Sequence, residues 1–164
     1  MERPAWTDIH ALWQEDAFVL RDIYVAGASV EDWQRVVEAI RAAGWPTSYL
    51  EDHETVSMPA DVHDVFATLA RTVAVLWKVR ITKTATVNDH FYGATESDVE
   101  IEFNIAPSEI TDQPSLDAVC DFMRVVGRSA HRPVWVGVEC SGSDRPPADM
   151  HYDPATDSIR LRDT

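Results

Sequence analysis

Three acidic side chains alternate along one short stretch of the sequence and are its strongest candidate for a binding site. Asp98, Glu100 and Glu102 are separated by Val99 and Ile101, a spacing that places the three carboxylates on one face of a β-strand, with successive Cβ atoms about 7 Å apart. Carboxylates at that distance repel one another unless water screens them or a cation neutralises them. A basic surface of a protein partner supplies such a cation, and so does Mg²⁺ or Ca²⁺. The alternative is the solvated outer face of an antiparallel strand, which shows the same alternation.

A second acidic group, Glu51, Asp52 and Glu54, belongs to the first of two long stretches without Lys or Arg. One stretch, within 41–71, contains five acids, and the other, within 83–124, contains nine. These acids together equal the formal net charge of −14, so the remainder of the chain is balanced. Charge placed in this way bears on partners and solubility rather than on fold. The predicted contact residues are Asp98, Glu100, Glu102, Glu51, Asp52 and Glu54.

A metal-assisted hydrolase is the alternative function for the same region. Asp89 and His90 precede Glu100 and Glu102, and imidazole with carboxylates is a common donor set for transition metals. None of the six histidines has the spacing of a zinc motif, such as two His four residues apart with a Glu after the first. Surface histidines without a metal are therefore the favoured interpretation, and we predict no metal site.

Motifs for other enzymatic chemistry are absent from the sequence. There is no Gly-x-Ser-x-Gly motif, phosphate-binding loop or dinucleotide-binding glycine pattern. Cys120 lies within a predicted helix whose apolar face would bury it, and Cys140 follows a predicted strand without a visible His and Asn arrangement. We therefore predict no catalytic residues and no cofactor.

The composition of the chain argues against several classes of partner. The amino terminus lacks the basic and apolar segments of a signal peptide, and no apolar stretch approaches the ~20 residues that span a bilayer. An acidic chain is also a poor ligand for nucleic-acid phosphate or anionic lipid. We expect a cytoplasmic protein with two reduced thiols, although one disulfide between them is also compatible with the sequence.

The periodicity of apolar residues predicts an α+β protein of one domain, residues 1–164. The clearest helix covers 30–43, with Ser29 as its N-cap and Gly44 after its end. Two more helices are predicted near 60–70 and 115–129. Strands are predicted at 18–25, 45–50, 55–58, 72–83, 86–92, 98–105 and 133–140, with a terminal hairpin in the tail. The order favours a two-layer sandwich, with about three helices on one face of a mostly antiparallel sheet of about 5–7 strands.

The six tryptophans fall into distinct positions of this pattern. Trp33 and Trp77 fit the apolar faces of a helix and a strand, which predicts that both lie in the core. Trp135 is out of phase with its apolar neighbours and is expected on the opposite sheet face. Trp6 and Trp13 lie in an amino-terminal region that we expect to wrap over the core.

Four segments together resemble a known group of proteins: RDIYV at 21–25, EDWQ at 31–34, DVEIEFNIAPSE at 98–109 and DFM at 121–123. In this order they are similar to a bacterial family of small α+β proteins. No activity is established for that family, so the resemblance implies no catalytic residues. In size and acidity the chain is also similar to the immunity proteins that neutralise bacterial toxins.

These observations favour an acidic protein-binding domain with a basic protein partner, and toxin neutralisation is the most concrete form of that hypothesis. The metal-assisted hydrolase is the second hypothesis. A ligand-binding or scaffolding domain, with an apolar cavity between helices and sheet, is the third.

Overall fold

The computed structural model describes residues 3–14, 18–91, 99–140 and 145–162. The four helices of this part of the chain are α1 Trp6–Gln14, α2 Val30–Ala42, α3 Val62–Leu69 and α4 Gln113–Ala130. A short 3-10 helix, Pro107–Glu109, precedes α4. The nine strands are β1 Arg21–Ala28, β2 Thr47–Glu51, β3 Glu54–Val56, β4 Val75–Arg80, β5 Thr86–Asp89, β6 Val99–Ile105, β7 Val134–Val138, β8 Met150–Asp153 and β9 Ser158–Leu161.

All nine strands form one open sheet in the order β3-β2-β4-β5-β6-β1-β7-β8-β9, and each neighbouring pair is antiparallel. The predicted α+β class and antiparallel sheet are therefore confirmed. The predicted counts, about 5–7 strands and three helices, were too low. The four shortest strands have only three or four residues, and they fall in segments that were predicted as strands or as the terminal hairpin.

Helix α2 forms for the reasons that its sequence indicates. Ser29 accepts a hydrogen bond from the backbone N–H of Asp32, and the Asp32 carboxylate accepts one from the backbone N–H of Ser29. This reciprocal arrangement satisfies two donors that a helix start leaves without partners. The apolar stripe of α2 is buried, including Trp33 and Val36, so the predicted core position of Trp33 is confirmed.

One hydrophobic core lies between the helices and one face of the sheet. Strand residues such as Ile23 and Phe103 belong to it, and so do Ile9 of α1, Val65 of α3 and Phe122 of α4. Buried residues of all four helices thus meet the same face of the sheet. We call this the inner face, and the opposite one the outer face.

Helix α4 packs closely against the sheet at Gly127. A Cβ atom at this position would lie 2.6 Å from the Tyr152 ring and 2.9 Å from Val134, closer than atoms can pack without displacement. The helix begins at the N-cap Asp112, whose side chain accepts from the Ser115 backbone N–H. Asp61 similarly caps α3. Part of the acidic excess therefore serves helix starts.

Helix α1 was not predicted, and buried polar contacts hold it against the sheet. The Trp13 indole donates a hydrogen bond of 2.9 Å to Asp149, and the same carboxylate oxygen accepts from Arg21 at 3.2 Å. All three residues are buried. A nine-residue helix is too short to be stable alone, so these tertiary contacts decide its formation. None of the helices in the described part of the chain has the length and apolarity that crossing a bilayer requires.

Candidate functional site on the outer sheet face

The strand register aligns polar and aromatic side chains in a row across the outer face. Glu102 of β6 pairs with Tyr24 of β1, Tyr24 with Trp135 of β7, and Trp135 with His151 of β8. Each of the four is partly exposed. The Trp135 and His151 rings stack with centroids 4.8 Å apart. The outer position predicted for Trp135 is therefore confirmed, and Trp135 lies between Tyr24 and His151 in a row of aromatic side chains, the aromatic row.

One arginine brings three carboxylates together beside this row. Arg145 donates from Nη1 to Asp22 at 2.9 Å and from Nη2 to Glu100 at 3.0 Å, and Nη2 also pairs with Glu102. The guanidinium carbon lies 4.1 Å from the centroid of the Tyr24 ring. We call these five residues the Arg145 cluster. Its side chains combine ion pairing with cation–π contact, the two interactions by which proteins hold guanidinium groups.

Asp22 is the buried member of the Arg145 cluster. Its side chain is 1 % exposed, against 28 % for Glu102 and 37 % for Glu100. One oxygen, Oδ2, accepts from Arg145 and from the backbone N–H of Cys140, while Oδ1 has no hydrogen-bond partner among the described residues. A buried carboxylate is stable only with a compensating charge or hydrogen bonds, so Asp22 depends on Arg145.

The Arg145 cluster also changes the proton affinity of its members. Burial raises the pKa of Glu102 above its usual value, although the hydrogen bond from Arg145 lowers it. Burial alone would lower the pKa of Arg145, but its hydrogen bonds to Glu102 and Glu100 raise it overall. The guanidinium stays charged at any physiological pH. With all three acids ionised, the cluster retains two negative charges beyond those that Arg145 neutralises.

The second predicted acidic group does not join this cluster. Glu51 and Glu54 are register partners at the end of the β2–β3 hairpin, and β2 is separated from β6 by β4 and β5, about 14 Å at the usual strand spacing. Glu51 also shares the face of Tyr49, which is buried in the core, so it lies on the inner side. The hairpin is therefore not a neighbour of Glu100 and Glu102.

Asp52 has a structural role in the hairpin. It adopts φ +48° and His53 adopts φ +74°, the left-handed conformations of a tight hairpin turn. The Asp52 carboxylate accepts hydrogen bonds from the backbone N–H groups of Val73, at 2.8 Å, and Ala74, at 3.1 Å. It thereby connects the hairpin to the loop before β4. The remaining predicted contact residue, Asp98, lies outside the described residues.

The four residues of the hydrolase hypothesis are divided between the two faces of the sheet. Asp89 is register partner of the core residue Trp77 and is itself buried, whereas Glu100 and Glu102 lie on the outer face. Burial, with a smaller contribution from the Glu102 charge, raises the pKa of Asp89 well above its usual value. No group of three His, Cys, Asp or Glu side chains in the described residues could hold a metal ion. This arrangement gives the metal hypothesis no geometric support.

The two cysteines differ in how far the fold buries them. Cys120 is buried and Cys140 is partly buried. Cys120 is buried on α4, and burial raises the pKa of its thiol to about 12, which suppresses the reactive thiolate at neutral pH. The prediction that the apolar face of the helix buries Cys120 is confirmed.

Sequence analysis missed Arg145 and Asp22, the two central members of the cluster. Arg145 lies in the connection between β7 and β8, directly before Pro146 and Pro147, where no periodic pattern assigns it to a face. Asp22 carried a usable signal, since it alternates with Ile23 in a predicted strand and is therefore on the side of Tyr24. What the pattern could not show is that β1 pairs with β6.

Comparison with known proteins adds no further information, since no family model, curated protein or solved structure matches this chain. The functional argument therefore depends on the geometry alone.

Proposed function

We propose that this protein is a non-catalytic, acidic binding domain whose outer sheet face recognises a basic protein partner. The observation that carries the proposal is the convergence of Asp22, Glu100 and Glu102 on one guanidinium. The excess of carboxylates leaves negative charge on a face that no described helix covers. A partner with Lys or Arg at its surface would complement that charge, which raises association rates and excludes acidic competitors.

Glu100 is the member of the Arg145 cluster best placed to meet a partner. It has the most exposed side chain of the three acids. Among the described residues its carboxylate accepts one hydrogen bond from Arg145, at Oε2. A carboxylate has about four acceptor positions, so Glu100 can accept from a second cation without releasing the first. Glu102 would contribute next, since it is 28 % exposed.

The aromatic row extends the proposed contact surface beyond the charges. Trp135 and His151 stack beside Tyr24, and all three remain partly exposed. Aromatic side chains are enriched among the residues that contribute most to binding energy at protein interfaces. The surface therefore combines a charged group for orientation with apolar area for affinity.

Neutralisation of a basic bacterial toxin is the most specific form of this proposal. The small size and acidity of the chain support it, and no residue of the Arg145 cluster favours a toxin over another basic protein. A cytoplasmic location belongs to the same proposal and is supported by the sparse use of cysteine, two residues in 164.

The test is to measure association with the basic proteins encoded beside this gene, each immobilised on a biosensor. We expect one whose association rate falls steeply as salt is added, because screening weakens long-range attraction. Glu100→Gln and Glu102→Gln should each slow association several-fold. Glu54→Gln, which removes the same charge from the distant hairpin, should leave it within experimental error.

Two results would count against the proposal. One is the absence of any basic partner with salt-dependent association. The other is equal slowing by Glu54→Gln and Glu100→Gln, which would indicate a response to net charge rather than to the outer face.

A further inference from the structure

A groove on the other half of the outer face carries unpaired positive charge. Lys78 and Arg80 lie two residues apart on β4, so both project to the outer side about 7 Å apart. Their register partners are uncharged: Ser48 and Asn88 flank Lys78, and Thr86 flanks Arg80. With Glu109, which also lines the cavity of about 450 Å³, these residues form what we call the basic groove.

Neither cation of the basic groove forms an ion pair with a described residue. Seven other arginines do pair with carboxylates, namely Arg3, Arg21, Arg35, Arg124, Arg128, Arg132 and Arg145. These are half of the fourteen Lys and Arg residues of the chain, and Lys78 and Arg80 belong to the other half while lying side by side on one strand. Two adjacent cations without an ion pair to the described residues are available to an anion.

The remaining lining residues suit an anion with a polar body. Ser48 and Thr86 offer hydroxyl donors and Asn88 offers an amide donor, all beside the two cations. The cavity is of a size that accommodates small metabolites, which typically occupy pockets of about 300–1,000 Å³. An inorganic ion would fill only part of it.

The net charge of −14 does not exclude this ligand. Interactions between exposed charges are largely screened beyond about 8 Å at physiological ionic strength. The nearest strand of the Arg145 cluster, β6, is separated from β4 by β5, which places it about 10 Å from β4 at the usual strand spacing. The described residues that line the groove include two cations and one acid, Glu109. One oxygen of Glu109 is occupied, since it accepts from the backbone N–H of Thr86 at 2.8 Å.

We propose that the basic groove binds a phosphorylated small molecule with a hydroxyl-bearing body the size of a sugar. The phosphate would lie between Lys78 and Arg80, because a tetrahedral dianion can accept from an ammonium and a guanidinium together. The hydroxyl and amide groups of Ser48, Thr86 and Asn88 would contact the body. This site is separate from the Arg145 cluster and does not depend on the proposed protein partner.

The test is isothermal titration calorimetry at physiological ionic strength, with glucose 6-phosphate as probe and glucose and citrate as comparison ligands. We expect the phosphate ester to bind and the other two to bind at least tenfold more weakly. Lys78→Gln and Arg80→Gln should each weaken binding about tenfold, the usual effect of losing a charged hydrogen bond. The matched control Lys83→Gln, an exposed cation on the turn after β4, should change nothing.

A variant that is expected to strengthen binding tests whether the weaker binding of the other variants results from misfolding. Glu109→Gln keeps an acceptor for Thr86 and removes the one acid among the described residues that line the groove, so it should strengthen binding several-fold. The proposal is overturned if the wild-type protein binds no phosphate ester at millimolar concentration. Equal binding of citrate, or an equal loss in Lys83→Gln, would also overturn it, since either would indicate general attraction of anions.

Discussion

The two halves of the outer sheet face use charge in opposite ways. In the Arg145 cluster, three acids are held by one base, and the buried Asp22 depends on that base for its stability. In the basic groove, Lys78 and Arg80 have no such partner in the described structure and lie beside neutral side chains. The comparison teaches that formal charge and available charge differ, because the fold decides which charges neutralise each other.

The largest effect should come from removing the base of the Arg145 cluster. Arg145→Met leaves Asp22 buried without a counter-charge, and we expect the free energy of unfolding to fall by about 3 kcal/mol. Urea denaturation measures this change. Adding Asp22→Asn to the same chain should restore more than half of the loss, because the uncompensated charge is gone. A loss below about 1 kcal/mol in the single variant would contradict the dependence of Asp22 on Arg145.

Two acids of the β2–β3 hairpin, Asp52 and Glu54, should differ in how much they contribute to stability. Asp52→Ala removes the acceptor of two backbone N–H groups, and we expect a loss of about 1.5 kcal/mol. Asp52→Asn keeps an acceptor and tolerates the left-handed backbone, so it should lose much less. Glu54→Ala should stay within about 0.5 kcal/mol of the wild type, as is usual for exposed positions. Equal losses in Asp52→Ala and Glu54→Ala on thermal unfolding would refute this distinction.

Ionisation of the buried Asp89 should make the free energy of unfolding depend on pH. Its pKa is higher in the folded than in the unfolded chain, so its contribution to stability is fully present below pH 3.8 and is lost as the pH rises through the folded-state pKa. Asp89→Asn does not titrate and keeps an acceptor for the Phe91 backbone N–H. As the pH rises above 3.8, the variant should therefore become progressively more stable relative to the wild type. A pH-independent difference in chemical denaturation would show that Asp89 does not titrate in this range.

The smallest effect should come from removing a base of the basic groove. Arg80→Gln breaks no ion pair of the described structure, so stability should change by less than about 0.5 kcal/mol. The contrast between this small change in stability and the loss expected for Arg145→Met measures the difference between the two halves of the outer face most clearly. A loss above about 1 kcal/mol in Arg80→Gln would mean that Arg80 has a structural partner.

Local patterns were sufficient to predict most elements of this fold. Ser29 and the apolar stripe of α2 predicted that helix, and alternation predicted the inner and outer faces of β6 and β7. Pairing between strands distant in sequence was not predictable in this way, since β1 lies between β6 and β7 and no local signal specifies that order. Helix α1 was not predicted because its tertiary contacts, such as the one between Trp13 and Asp149, decide whether it forms.

The candidate site was predicted only in part, for the same physical reason. Alternation indicated that Glu100 and Glu102 share a face, and the structure places them there. The sequence could not show that Arg145 neutralises them, because an arginine in a proline-containing loop has no assigned direction. The sequence also could not show that Lys78 and Arg80 form no ion pair with the described residues, because ion pairing depends on which side chains the fold brings together.

The most direct test of the central claim is an NMR titration of the ¹⁵N-labelled protein with a tetra-arginine peptide. We predict shifts of the Trp135 indole and the Arg145 side-chain signals, no shift of the buried Trp77 indole, and weaker binding to Glu100→Gln than to Glu54→Gln. Shifts confined to the β2–β3 hairpin, or no shift of Trp135 at saturating peptide, would contradict the assignment of basic-partner binding to the outer face.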